Sequence, residues 1–178
     1  IIEKAHREGV VNVYPIGAIT KGLKSEELAE MGQMQKAGTV AVSDDGKPVM
    51  SGRKMYLALQ YAKASGITVI SHSEDTDITA EGQMNEGTVC TRLGLKGIPR
   101  AAEETMIARE CILAEELGTH VHIAHVSTEG SVDIVRHFKS RGAKITAETA
   151  PHYVYGTDEQ VEELDYDAGT RVNPQLRN

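Results

Sequence analysis

Four times along the chain a helical segment stops at a glycine and a short β-rich run follows it. The helical segments are SEELAEMGQMQKAG (25–38), SGRKMYLALQYAKASG (51–66), PRAAEETMIARECILAEELG (99–118) and EGSVDIVRHFKSRG (129–142). The β-rich runs are VVNVYPIGAIT (10–20), TVAVSDDG (39–46), ITVISHSED (67–75), THVHIAHVST (119–128) and AKITAETAPHY (143–153). Gly38, Gly66, Gly118 and Gly142 close the helices, glycine being the residue that best takes a left-handed C-terminal conformation. Ser25, followed by Glu26 and Glu27, reads as an N-cap with acids in the first turn. Alternation of this regularity calls for parallel strands joined by helical crossovers, with Val- and Ile-rich strands covered on both faces.

Five β-rich runs leave an open sheet and a closed barrel both possible. No GxGxxG or GxxxxGK[ST] follows any of them, so a nucleotide-binding sheet lacks its best marker. Polar, potentially ligating residues recur instead at strand C-terminal ends: Asp44 or Asp45, then His72, His125 and Glu148. A (β/α)8 barrel keeps its chemistry there, because its βα loops converge on one mouth. A complete barrel takes roughly 250 residues, so residues 1–178 are expected to be the central part of one barrel domain, cut at both ends. The opening IIEKAHREG reads as the tail of a helix already under way. The longest irregular stretch, about 74–98, is a loop at a strand end, where function concentrates.

Composition removes several classes. A formal charge of −7 and the absence of Trp argue against a nucleic-acid binder. No stretch is long and apolar enough for a membrane span, and the start is no signal peptide. Cys90 and Cys111 lack metal-type spacing and read as free thiols of a cytoplasmic protein, with Cys111 in a helical core pattern.

Imidazole nitrogens and carboxylate oxygens together suit a divalent ion such as zinc. Any one histidine has a plainer reading as a hydrogen-bonded structural residue, but His72 and His125 end consecutive long β-rich runs after a strand ending in Asp-Asp. Strand alternation groups Val121, Ile123 and His125 on one side and His120, His122 and Ala124 on the other. It likewise groups Ala41, Ser43 and Asp45 against Val40, Val42 and Asp44, which favours Asp45 at the mouth unless a bulge swaps the parity. Asp44 then caps the turn around Gly46. His6 and His137 fall on helices as solvated residues, and His152 either lines the mouth or holds a loop.

The stretches NVYPIGAITKGL, ELAEMGQMQKAGTVAVSDDG, SHSED, MNEGTVCTRLGLKGIPRAAEE, VHIAHVSTEGSV, TAETAPHY and RVNPQLR make the match specific along the whole length. With them the chain resembles the bacterial dihydroorotase branch of the amidohydrolase superfamily. The resemblance implies a partial (β/α)8 TIM barrel of the metal-dependent hydrolase type, about strands three to seven. It implies two Zn2+ ions in the complete site, bridged by an aspartate where many relatives use a carboxylated lysine. By that pattern the metal ligands here are Asp45, His72 and His125, and Asn173 of VNPQLR contacts substrate. The first-strand His-x-His, a nearby substrate arginine and the eighth-strand aspartate that serves as acid/base are all absent from residues 1–178. Gln175 stands for the second proline of the usual NPPLR, and Cys90 stands where serine is commoner.

The implied activity is zinc-dependent, reversible cyclisation of N-carbamoyl-L-aspartate to dihydroorotate and water, a step of pyrimidine biosynthesis. The implied partner is this small-molecule substrate, without nucleic acid or membrane, in a cytoplasmic enzyme with a homodimer as the candidate assembly. The segment alone is expected to be inactive. The rivals are hydantoinase and allantoinase, against which SDDG and NEG…LGLKGIP both argue, and a non-catalytic dihydroorotase-like subunit. Every ligand this segment could show is present, which argues against the last.

Overall fold

A computed structural model describes all residues, 1–178. Helix α1 (Ile2–Glu8) and strand β1 (Ile16–Gly17) lead into a 3₁₀ turn, Lys21–Leu23. Then come α2 (Met31–Lys36), β2 (Ala41–Ser43), α3 (Gly52–Ser65) and β3 (Thr68–Ser71). An insertion follows: α4 (Thr76–Thr79), β4 (Met84–Asn85), α5 (Thr88–Leu93) and β5 (Gly97–Ile98). The alternation resumes with α6 (Ala101–Leu117), β6 (Val121–Ile123), α7 (Glu129–Ser140) and β7 (Ile145–Ala147). The short helices α8 (Pro151–Tyr155) and α9 (Gln160–Glu163) and a 3₁₀ turn, Ala168–Thr170, end the chain.

The main sheet is wholly parallel, in the order β1-β2-β3-β6-β7. That order follows the chain without reversal. A doubly wound sheet reverses where its helices change sides, whereas right-handed crossovers in one running order leave all helices on one face. The arrangement is that of successive barrel units.

Local sequence explains each unit. Ser51 caps α3 by accepting from Lys54 N at 3.3 Å, and Gly66 ends it at φ +71. Met55, Ala58, Leu59 and Ala62, at helical spacing, form its buried stripe. Thr128 caps α7 through Ser131 N, and Gly118 ends α6 at φ +59. Val42, Val69, Val121, Ile123 and Ile145 line the helix-facing side of the sheet and join α3 and α6 in one core. Each such side chain contributes about 1.5–3 kcal/mol by leaving water, as an upper bound. Cys111 lies in this core as a free thiol, and burial pushes its pKa up to about 12. No helix is long and apolar enough to cross a membrane.

Some expectations change. Ser25 caps no helix: α2 starts only at Met31, and Ser25 sits at φ +55 with its hydroxyl donating to Pro48 O at 3.1 Å. Backbone bonds Lys21 N to Glu27 O and Ala29 N to Ile19 O fold residues 19–29 into an antiparallel bridge, which overrides the helical propensity of the Glu-Glu-Leu run. The stretch 74–98 is not irregular, since β4 and β5 pair in parallel around a small core of Met84, Val89 and Cys90. Cys90 contributes by accepting from Gly87 N at 3.2 Å and donating to Gly87 O at 3.1 Å. The parity expected of His125 also fails, as its surroundings show.

Candidate metal centre

Strand β2 delivers two adjacent aspartates to opposite surroundings. Asp44 is 2% exposed and accepts from Ile19 N at 2.7 Å, from Thr20 N at 3.1 Å and from the Thr20 hydroxyl. It ties the end of β1 to the end of β2 and does not cap the turn at Gly46, as sequence spacing had suggested. Asp45 is exposed and, with Ser43, Ile70 and His122, lines a cavity of about 610 Å³ on the face of the sheet away from the helices. The alternation read from TVAVSDD therefore holds.

His72 lies just past β3, with a side chain 2% exposed. His125 follows β6 by two residues and adopts φ +40. That backbone reverses the alternation: Val121 and Ile123 face the helices, whereas His125 joins His122 and Ala124 on the cavity wall. Val126 N donating to Glu148 O at 2.8 Å and Ala124 N donating to Ser71 O at 3.1 Å hold the turn in place.

Three side chains thus converge. Asp45 Oδ1 lies 3.0 Å from His72 Nδ1 and 3.4 Å from His125 Nε2, and the two imidazole nitrogens are 2.8 Å apart. All three donor atoms fall within 4.8 Å of one another. On its other side His72 Nε2 meets Glu74 Oε2 at 3.1 Å. One imidazole ring is therefore flanked by two carboxylates, one at each nitrogen. A neutral ring has a single N–H to give, so satisfying both sides needs a second positive centre, a proton or a metal ion. Burial, then the neighbouring His72, pushes the pKa of His125 down, which favours the neutral ring a metal requires. The donor set of two imidazoles and a carboxylate fits a divalent metal.

Glu74 was not anticipated from the sequence, although it stands two residues after His72 in SHSED. The hydrogen bond from His72, working against burial, holds its carboxyl down at about 2. The same Oε2 accepts from Asn173 Nδ2 at 3.1 Å, so Asn173 reaches the cluster through Glu74. Glu148 lines the cavity but stands 3.9 Å from His122 Nε2, outside the three-residue group. His122 and His120 instead meet Thr146 Oγ1 at 2.8 and 2.9 Å. His6, His137 and His152 are exposed, and His152 packs on Tyr153 with ring centroids 4.1 Å apart.

The remaining family-type motifs meet in one buried polar network beside this centre. Glu103 accepts from Ser127 N at 2.9 Å, from Thr128 N at 3.2 Å and from the Ser127 hydroxyl. Arg177 Nη2 stands 3.7 Å from Glu103, and Arg177 Nη1 donates to Asn85 Oδ1 at 3.1 Å. Asn85 in turn donates to Asp158 at 2.8 Å. The network fastens the segment carrying Asn173 to the ends of β4 and α6. Gln175 is buried there, its amide oxygen accepting from Arg177 Nη1 at 2.6 Å and Nη2 at 3.0 Å.

Comparison with known proteins gives the chain a family. A family model described as "Dihydro-orotase-like" matches residues 2–131. A dihydroorotase of Pelotomaculum thermopropionicum is 61% identical over 171 residues, covering 96% of this chain and 40% of that protein. One from Geobacter sp. strain M21 is 60% identical over 178 residues, covering 100% of this chain and 41% of its own length. The chain thus spans about two fifths of the curated relatives it matches. Among solved structures, a D-hydantoinase superposes with a TM-score of 0.71 at 20% identity, covering 99% of this chain and 41% of that one. This likeness shows the fold, which is that of part of that enzyme.

Proposed function

The chain belongs to the dihydroorotase-like family, and from that premise we propose that the complete protein is a dihydroorotase. It would interconvert N-carbamoyl-L-aspartate with dihydroorotate and water in the cytoplasm, as a step of pyrimidine biosynthesis. The observation that carries the reading is the convergence of Asp45, His72 and His125 within 4.8 Å.

We assign Asp45, His72 and His125 as residues that would hold the zinc of the complete site, two ions in all. When bound, such ions act as Lewis acids, polarising a carbonyl oxygen and making water acidic enough to attack at neutral pH. The protein's part is to hold the donors ready. His72 is packed out of water, so its ring cannot swing away, whereas Asp45 stands exposed at the mouth where a small cyclic amide can enter. We give Asn173 a contact with the substrate ring. We assign the acid/base role to no residue within 1–178.

The test is turnover by the full-length protein. Dihydroorotate hydrolysis is followed by loss of ring absorbance, beside hydantoin and allantoin as competitors, with zinc measured on the same sample. Two zinc ions per chain and a clear preference for dihydroorotate are expected. Turnover of hydantoin without dihydroorotate would sink the reading in favour of a hydantoinase, the kind of enzyme whose fold this chain shares.

A further inference from the structure

We propose that Glu74 is a positioning residue that fixes the tautomer of His72 and couples it to Asn173. The proposal rests on the metal-centre reading above and extends it to a residue which that reading leaves without a role.

A single carboxylate oxygen does the coupling. Glu74 Oε2 lies 3.1 Å from His72 Nε2 and also 3.1 Å from Asn173 Nδ2. The Glu74 and His72 side chains are 18% and 2% exposed, so water competes poorly for the bond between them. An ionised carboxylate only accepts hydrogen bonds, so the protonated nitrogen of His72 is Nε2. That leaves Nδ1, the atom facing Asp45 and His125, with its lone pair turned to the centre. A carboxylate behind a ligating histidine fixes ring orientation and raises ligand basicity. The same oxygen fixes Asn173 as well. With Nδ2 tied to Glu74, the Asn173 amide offers its oxygen to a ligand, which suits an N–H of a cyclic amide. Glu74 therefore sets two groups at once, one for metal and one for substrate.

The experiment uses the full-length protein and four variants: Glu74→Ala, Glu74→Gln, Asn173→Ala and the double variant Glu74→Ala/Asn173→Ala. Zinc affinity is read by chelator competition, and kcat and KM by dihydroorotate hydrolysis. Glu74→Ala should weaken zinc binding roughly ten- to a hundredfold and raise KM. Glu74→Gln should restore most of both, because its amide oxygen can accept the same two hydrogen bonds. Asn173→Ala should raise KM and leave zinc affinity alone, and adding it to Glu74→Ala should raise KM little further, since both remove one coupled unit. Unchanged zinc affinity in Glu74→Ala, or equal losses in the Ala and Gln variants, overturns the proposal. If the zinc series comes out as expected but dihydroorotate is not hydrolysed, the reaction has been misread and the positioning role stands.

Discussion

Replacing Asp44 and Asp45 by alanine, one at a time, should damage two different properties. Asp44 is 2% exposed and its carboxylate serves Ile19 N, Thr20 N and the Thr20 hydroxyl. Ile19 and Thr20 are themselves 1% and 0% exposed, so Asp44→Ala strands two backbone donors where water does not reach. Each stranded donor costs about 1–3 kcal/mol, which places the loss at about 2–6 kcal/mol; the hydroxyl can turn and re-pair. Asp44→Asn keeps an acceptor oxygen and should lose markedly less. Asp45, with a side chain 69% exposed and bonded only to the histidine pair, should cost within about 0.5 kcal/mol when replaced. It should instead abolish zinc retention, because it removes the one carboxylate of the proposed ligand set. The assay is urea unfolding of the zinc-free full-length proteins, since bound metal would itself stabilise the fold, alongside zinc content after dialysis. A loss near 4 kcal/mol moves the urea midpoint by about 1.3–4 M at slopes of about 1–3 kcal/mol per M. An Asp44→Ala protein unfolding with the wild type, or an Asp45→Ala protein that keeps its zinc, would refute the division of labour.

Three further outcomes follow from the geometry. Glu103→Ala should destabilise the protein by about 3–5 kcal/mol, since it orphans Ser127 N and Thr128 N and leaves Arg177 buried without its carboxylate; thermal unfolding measures this, and Glu103→Gln should be milder. Cys111 should resist alkylation in the native protein and react once unfolded, because burial holds its thiol protonated up to about 12. The folded state keeps a proton that the unfolded thiol releases near its ordinary value of 9.0, so this residue's contribution to stability should fall as pH climbs between those two values. His125 sits at φ +40, so in zinc-free protein His125→Gly should be more stable than His125→Ala by about 1 kcal/mol, the reverse of the usual order; equal urea midpoints would show that the backbone there is unstrained.

What could be read ahead of the structure is what depends on neighbours in sequence. Gly38, Gly66, Gly118 and Gly142 all take positive φ where the helices stop. The alternation through TVAVSDD assigned Asp45 and Asp44 to opposite sides, and it carries on past the end of β2 at Ser43 because the backbone takes no positive φ between there and Gly46. Where a partner distant in sequence decides the backbone, the same rules fail. Ser25 looks like a cap because acids follow it, yet the bridge from Thr20 to Leu28 pre-empts the helix. His125 looks paired with Ile123, yet the turn after β6, held by Ser71 O and Glu148 O from the flanking strands, rotates it onto the other face.

That failure has a physical reason tied to the site. An extended strand sends alternate residues to the core and to the cavity, and β6 commits Val121 and Ile123 to the core. Continued for two residues, the same strand would drive His125 beneath the helices, among apolar side chains where no metal could reach it. Bringing its imidazole within 2.8 Å of His72 Nδ1 requires the regular geometry to break between Ile123 and His125. A residue in the left-handed region is a direct way to do so, at a strain of order 1–3 kcal/mol that its surroundings must sustain. The neighbouring strands supply the restraint through the bonds that hold Ala124 and Val126. The departure from strand geometry at His125 is therefore part of how the donor set is assembled, and it lies where local sequence rules carry least information.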